Sequence, residues 1–190
     1  MLDFSGFGSS EEPIFPMTVK DYAKETLQVI KDNDLKDIVI IAHSFGARVG
    51  LELAQNSDLV SKLVIVDGAG VKPRRNFRYY FKVYAYKIKK RLGLSTKNCG
   101  SKDYKALSEV MKKTFVNVVN YDQTEMLKSI SVKTLLIWGE KDKETPLYMA
   151  KIMRKNLPNS RLEIMEGCSH FSFLEDTYSF INLVRNFIYE

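Results

Sequence analysis

Short apolar runs alternate with amphipathic stretches along this chain. The strand-length runs are Asp37–Ala42, Lys62–Asp67, Lys133–Trp138 and the weaker Arg161–Met165. In the first three the apolar residues follow one another without alternation. This pattern predicts strands that are buried on both faces, as parallel strands between two helix layers are.

Stretches with apolar residues at helical spacing lie between and after these runs. They predict helices at Val19–Asn33, Phe45–Asn56, Pro146–Asn156 and Leu174–Ile188. Thr18 is expected to cap the first of these helices, and Thr145 to cap the third with Pro146 at its first helical position. Strands alternating with helices in this way indicate an α/β fold, a parallel sheet covered on both faces.

Residues 71–128 interrupt the alternation. They show no good strand pattern, are rich in Lys, Tyr and Phe, and lie between two predicted sheet strands. We therefore expect a core made of residues 1–70 and 129–190, with residues 71–128 as a mostly helical insertion.

The net charge of +6 comes from one part of that insertion. Residues 72–91 hold nine basic residues and no acidic one, whereas the rest of the chain has three more acidic than basic residues. The apolar residues nearby fall near one helical face: Phe77, Tyr80, Phe81, Tyr84, Ile88 and Leu92. An anionic membrane surface or nucleic acid could bind such a segment. We favour a helix whose aromatic side covers a site and whose basic side faces water, with neither nucleic acid nor a membrane as partner.

The composition excludes several classes of protein. A chain of 190 residues with 45% hydrophobic and 27% charged residues is not disordered. No apolar run reaches the roughly 18 residues of a membrane span, and no signal-peptide pattern follows Met1. Two cysteines are too few for a disulfide framework or a thiolate zinc site. These features favour a cytoplasmic protein.

The strongest chemical signal is Ala42-His43-Ser44-Phe45-Gly46, which follows a predicted strand and opens a helix. Small residues flank a serine in this way at a nucleophile elbow, because strand and helix approach closely at a strained turn. The first small position holds Ala42, where glycine is more usual. The alternative interpretation is a serine that merely caps the helix.

A candidate acid follows the third predicted strand. Asp142 ends the loop Gly139–Asp142, just beyond the carboxyl end of that strand, where a carboxylate could orient a base. Glu140 and Glu144 compete for this role, and Asp142 is preferred for its place in the loop. The alternative is an ordinary turn aspartate.

A candidate base, His170, lies in Gly167–Phe171, between the last predicted strand and the last helix. The chain has two histidines, and the other, His43, precedes Ser44 directly. Because a sequence neighbour on an elbow turn points away from the serine side chain, His43 is the poorer base. We expect it to pack or hydrogen-bond beside the turn.

The order Ser44, Asp142, His170, with each residue at the carboxyl end of a predicted parallel strand, is that of the α/β-hydrolase triad. The chain resembles that superfamily from end to end. Its Leu2–Ser10 segment is similar to the family loop Asp-x-Pro-Gly-x-Gly-x-Ser, with serine where proline is common, and Gly167–Phe171 is similar to the family's histidine loop.

The resemblance implies roles for these residues. Ser44 would attack a carbonyl carbon, His170 would take and return the proton, and Asp142 would hold the imidazole in the required tautomer. The Phe45 backbone N–H would be one oxyanion donor. The implied activity is that of a serine hydrolase with a helical cap, acting on a small ester, thioester or related acyl substrate. No metal or organic cofactor is implied.

Part of the family pattern has no counterpart in this sequence. The resemblance implies a sheet of about eight strands, of which this chain would supply the last four, and a His-Gly loop with a second oxyanion donor. We therefore expect an N-terminally shortened member. The alternative function is an incomplete, weakly active or inactive hydrolase domain that only binds a ligand or a partner.

Overall fold

The computed structural model of the chain describes residues 2–73, 104 and 106–190. Its strands are β1 Ile38–His43, β2 Val60–Val66, β3 Lys133–Gly139 and β4 Ser160–Met165. They form one sheet in the order β1-β2-β3-β4, and every neighbouring pair is parallel. The α/β fold with a parallel sheet is thereby confirmed, and each strand end lies within two residues of the predicted one.

The helices in the described residues are α1 Val19–Asp32, α2 Phe45–Asn56, α3 Glu109–Asn120, α4 Leu147–Asn156, α5 Ser172–Glu175 and α6 Thr177–Tyr189. A 3₁₀ helix covers Met126–Ser129. Thr18 caps α1 as expected, in a reciprocal capping box. Its hydroxyl accepts from the Asp21 N–H at 3.3 Å, and Asp21 Oδ2 accepts from the Thr18 N–H at 2.8 Å.

Two helix predictions were wrong at their ends. α4 begins at Leu147 with Pro146 in the cap position, so the Thr145 hydroxyl does not cap it. The expected single C-terminal helix is two helices, α5 and α6, which meet at Asp176. The Asp176 carboxylate accepts from the Ser179 N–H at 3.1 Å, because aspartate serves better as a helix cap than inside a helix.

Alternate residues of β2 and β3 enter two separate apolar layers. On one face Leu63 and Trp138 join a cluster with α1, α2 and α4. On the other face Val64 and Ile137 pack with Phe187 of α6. Both faces are covered by helices, and this explains why these strands are apolar without alternation.

The insertion is described in part. α3 and most of the 3₁₀ helix fall within residues 71–128, while the aromatic and basic face predicted from Phe77 to Leu92 lies outside the described residues. Gln123 joins the two ends of the insertion to the core. Its backbone N–H donates to Gly70 O and its Nε2 to Arg48 O, both at 2.9 Å. The boundaries at residues 70 and 128 stay a prediction.

None of the helices that the structure describes has the length and apolar character needed to cross a membrane.

Candidate active site

Ser44 occupies a strained turn between β1 and α2. Its φ is 49° and its ψ is −115°, a combination that few residues other than glycine adopt. Its backbone N–H donates to Val66 O at 3.1 Å, and its carbonyl accepts from Ala69 N at 2.9 Å, so β2 and the segment after it fix the turn. The Ser44 side chain makes no capping bond to α2, which contradicts the capping interpretation.

The alanine at the first small position fits this turn. A Cβ atom added to Gly46 would lie 3.8 Å from the Cβ of Ala42, an ordinary van der Waals distance. The close approach is tighter one turn further along α2, where a Cβ on Gly50 would lie 3.1 Å from Leu63. Alanine at position 42 is therefore compatible with the close packing of β1 and α2.

His170 lies between the serine and the acid. Its Nε2 is 3.1 Å from Ser44 Oγ and its Nδ1 is 2.9 Å from Asp142 Oδ2. The residue is 6% exposed, and the loop that carries it follows β4. The structure thus brings together the three side chains singled out from the sequence, in one hydrogen-bonded line.

The Asp142 carboxylate is buried and has several hydrogen-bond donors. Oδ1 accepts from the backbone N–H groups of Glu144 at 2.8 Å and Thr145 at 3.0 Å. Oδ2 accepts from the Thr145 hydroxyl at 2.6 Å and faces His170 Nδ1. Burial alone raises the pKa of Asp142, but the hydrogen bonds from His170 and Thr145 outweigh it and hold that pKa below the ordinary value. The site therefore favours the ionised carboxylate.

The two competing glutamates have other positions. Glu140 Oε2 accepts from the Gly167 N–H at 3.0 Å and so ties the acid loop to the histidine loop. Glu144 Oε2 is 3.4 Å from His170 Nε2, on a side chain that is 70% exposed. Neither carboxylate meets His170 Nδ1, the nitrogen that faces Asp142.

His43 contacts the histidine loop rather than the serine hydroxyl. Its Nε2 is 2.8 Å from the backbone carbonyl of His170, and its ring centroid is 4.9 Å from that of His170. Phe171 and Phe173 complete the cluster, with centroids 5.3 Å and 5.0 Å from that of His43. His43 therefore hydrogen-bonds and packs beside the turn, in agreement with the role expected for it.

Phe45 begins α2, so its backbone N–H has no acceptor within the helix. Its ring packs with Phe4 and Tyr22 at centroid distances of 5.4 Å and 5.2 Å, and stacks on Phe7 at 5.4 Å. The segment Leu2–Ser10 that resembles the family loop thus contacts the first residue of α2.

Sequence reasoning missed the roles of three residues that lie behind the acid and the base, namely Asp67, Thr145 and Ser172. Asp67 directly follows β2, is fully buried, and accepts from the Gly139 N–H at 2.7 Å and the Ser172 hydroxyl at 2.6 Å. Burial raises the pKa of Asp67. Thr145 donates to Asp142, as described above. β2 lies between the strand that precedes Ser44 and the strand that precedes Asp142. A carboxylate at the carboxyl end of this central strand was a signal that could have identified Asp67.

Within the described residues, no group of three or more His, Cys, Asp or Glu side chains is arranged to hold a metal ion. Cys168 is a buried free thiol next to the histidine loop. Burial raises the pKa of this thiol and so disfavours the reactive thiolate.

The model of the alpha/beta hydrolase family matches residues 1–180 of this chain. The protein therefore belongs to the alpha/beta hydrolase family, and the resemblance seen in its motifs is confirmed.

Relatives of this chain include hydrolases. An uncharacterized protein of Mycobacterium tuberculosis is 26% identical over 98% of this chain, and the match spans 66% of that relative's own length. An uncharacterized hydrolase, YugF of Bacillus subtilis, is 26% identical over 89% of this chain and 72% of its own length. A proline iminopeptidase of Lactobacillus crispatus is 36% identical over 38% of this chain and 24% of its own length.

Solved structures share the fold. An esterase from Exiguobacterium antarcticum superposes with a TM-score of 0.77 at 21% identity, covering 99% of this chain and 80% of the esterase. A serine hydrolase involved in carbazole degradation gives a TM-score of 0.72 at 23% identity, covering 98% and 77% of the two chains.

Proposed function

We propose that the protein is a serine hydrolase of small esters, thioesters or related acyl compounds, with Ser44 as nucleophile, His170 as general base and acid, and Asp142 as the orienting carboxylate. One observation carries the proposal. Ser44 Oγ, the His170 ring and the Asp142 carboxylate form a continuous line of contacts at 3.1 Å and 2.9 Å. Membership of the alpha/beta hydrolase family supports it.

In the first half of the reaction, neutral His170 donates its Nδ1 hydrogen to Asp142 and turns the Nε2 lone pair to the Ser44 hydroxyl. Ser44 Oγ attacks the acyl carbon while its proton moves to Nε2. The tetrahedral intermediate collapses, the bond to the leaving group breaks, and His170 passes the proton to the leaving oxygen or sulfur. The product is acyl-Ser44.

In the second half, a water molecule gives a proton to His170 Nε2 and attacks the acyl carbon. The bond to Ser44 Oγ breaks, Oγ regains the proton, and a carboxylic acid leaves. The Phe45 N–H, at the positive end of the 12-residue helix α2, stabilises the oxyanion formed in each half.

A serine-directed fluorophosphonate probe tests this proposal. The parent protein should form a covalent adduct and hydrolyse a p-nitrophenyl ester, and Ser44→Ala should do neither. Ser61→Ala is a matched control because its hydroxyl bonds to Ile38 O near the start of β2, away from the site. Labelling of Ser44→Ala equal to the parent contradicts the proposal. A folded parent that does not label supports instead a hydrolase domain that only binds a ligand or a partner.

Two further proposals concern the setting of the protein. The low cysteine content supports a cytoplasmic location. The partner is a small acyl substrate, with residues 71–128 as the cap that covers it, rather than nucleic acid or a membrane surface.

A further inference from the structure

Thr145 has every polar group engaged at the carboxyl end of the sheet. Its hydroxyl lies 2.6 Å from Asp142 Oδ2, 2.9 Å from the Asp67 carbonyl and 3.4 Å from His170 Nδ1. Its N–H donates to Asp142 and its carbonyl accepts from the Trp138 indole at 2.6 Å. Since the Thr145 hydroxyl makes no capping bond to α4, this buried hydroxyl serves the site and not the helix.

The Thr145 hydroxyl has one hydrogen and two acceptors within reach, Asp142 Oδ2 and the Asp67 carbonyl. The shorter distance and the negative charge favour Asp142, because hydrogen bonds to an ionised acceptor are shorter and stronger. Without this donor, Oδ2 would keep only His170 as a partner. A buried carboxylate oxygen that loses a donor loses a large part of its stabilisation.

Asp67 extends the same network to the histidine loop. Its Oδ1 holds the start of the acid loop through Gly139 N, and its carbonyl contacts the end of that loop through Thr145. Its Oδ2 accepts from the Ser172 hydroxyl at 2.6 Å and the Ser172 N–H at 3.3 Å, two residues after His170. One residue at the end of β2 thus binds both loops that carry the acid and the base.

We propose that Thr145 and Asp67 are positioning residues of the triad, which hold the Asp142 carboxylate and the His170 loop in register from the segments that follow β3 and β2. This inference rests on the proposed function. It adds that the Thr145 hydroxyl acts through Asp142 and Asp67 acts through the two loops, with neither touching the reacting atoms.

A pair of substitutions separates the Thr145 hydroxyl from its methyl group. Thr145→Val keeps the shape and removes the donor, and Thr145→Ser keeps the donor. Loss of one hydrogen bond to a charged group predicts a fall in kcat of about 10- to 100-fold for Thr145→Val, with little change in KM. Thr145→Ser should recover most of this loss. Thr124→Val is a matched control, because it removes a 2.6 Å bond to the Asp122 carboxylate in an exposed turn.

A spectroscopic readout keeps the proposal testable if Thr145→Val is less stable. The chain has two histidines, so ¹⁵N-histidine NMR resolves the His170 ring, with His43 as a second reporter in the same molecule. Thr145→Val and Ser172→Ala should each change the Nδ1–H resonance of His170. Thr124→Val should leave that resonance unchanged.

The outcomes are distinct. If the parent fails to label with a fluorophosphonate, the proposed function fails. If the parent labels and Thr145→Val matches its kcat and its His170 resonance, the positioning inference is wrong. A loss of activity in Thr145→Ser as large as that in Thr145→Val would also overturn the inference, because it would assign the effect to the methyl group.

Discussion

Backbone geometry places the serine of the proposed triad, whereas buried polar partners place its carboxylate. Ser44 is set by a positive φ and by main-chain bonds to Val66 and Ala69. Asp142 is set by a hydroxyl donor, two N–H donors and a network that reaches Asp67 on another strand. The serine end thus depends on backbone conformation, and the carboxylate end on buried polar partners.

Asp142→Asn tests the carboxylate end most severely. An amide can donate to His170 Nδ1 and so favour the tautomer with hydrogen on Nε2, which cannot accept the proton of Ser44. We expect kcat to fall by about 10⁴-fold, as for the equivalent change in another Ser-His-Asp triad. Glu140→Gln is the matched control, because it removes one charge from the same loop while its side chain still accepts from Gly167 N. Equal losses in the two variants would contradict the assignment of Asp142.

The same variant carries a prediction for acid stability. The pKa of Asp142 is lower in the folded protein than its ordinary value, so its ionised form stabilises the fold at neutral pH. This contribution is complete above the unfolded-state pKa of about 4. It is lost as the pH falls from there through the lower pKa that Asp142 has in the folded protein. Urea unfolding from pH 7 to pH 3 should therefore show a smaller loss of stability for Asp142→Asn than for the parent.

The contrast between the two ends also explains what the sequence could predict. The serine turn is a local device, so Ala42-His43-Ser44-Phe45-Gly46 and the preceding apolar run were enough to predict it. Strand runs with helices between them were likewise enough for the parallel sheet. These features are determined by residues close together in the sequence, so a local sequence pattern is enough to predict them.

The supporting network is not local. Asp67 and Ser172 are 105 positions apart, and Asp67 and Thr145 are 78 apart, so no spacing motif records their contacts. Thr145 was predicted to be a helix cap because a threonine directly before a proline fits the sequence pattern of a helix start. The competing use of its hydroxyl appears only when β2 and β3 lie side by side.

Ser44→Gly tests the serine end by stability. A non-glycine residue at φ 49° and ψ −115° carries strain, and glycine adopts this conformation freely. Although glycine also raises the entropy of the unfolded chain, we expect Ser44→Gly to be about 1 kcal/mol more stable than Ser44→Ala. Chemical denaturation of the two inactive variants measures the difference directly. Equal stability would show that the backbone at Ser44 stores no strain.

Glu144→Gln, which changes an exposed carboxylate near His170, is predicted to have the smallest effect. Its carboxylate is 3.4 Å from His170 Nε2, nearly as close as Ser44 Oγ, but the side chain is 70% exposed and has no place in the buried network. Exposed ion pairs contribute about 0–1 kcal/mol, so kcat/KM for a neutral ester should stay within about fivefold of the parent. A loss as large as that expected for Thr145→Val would mean that proximity to the imidazole, rather than burial and hydrogen bonding, decides which carboxylate supports His170.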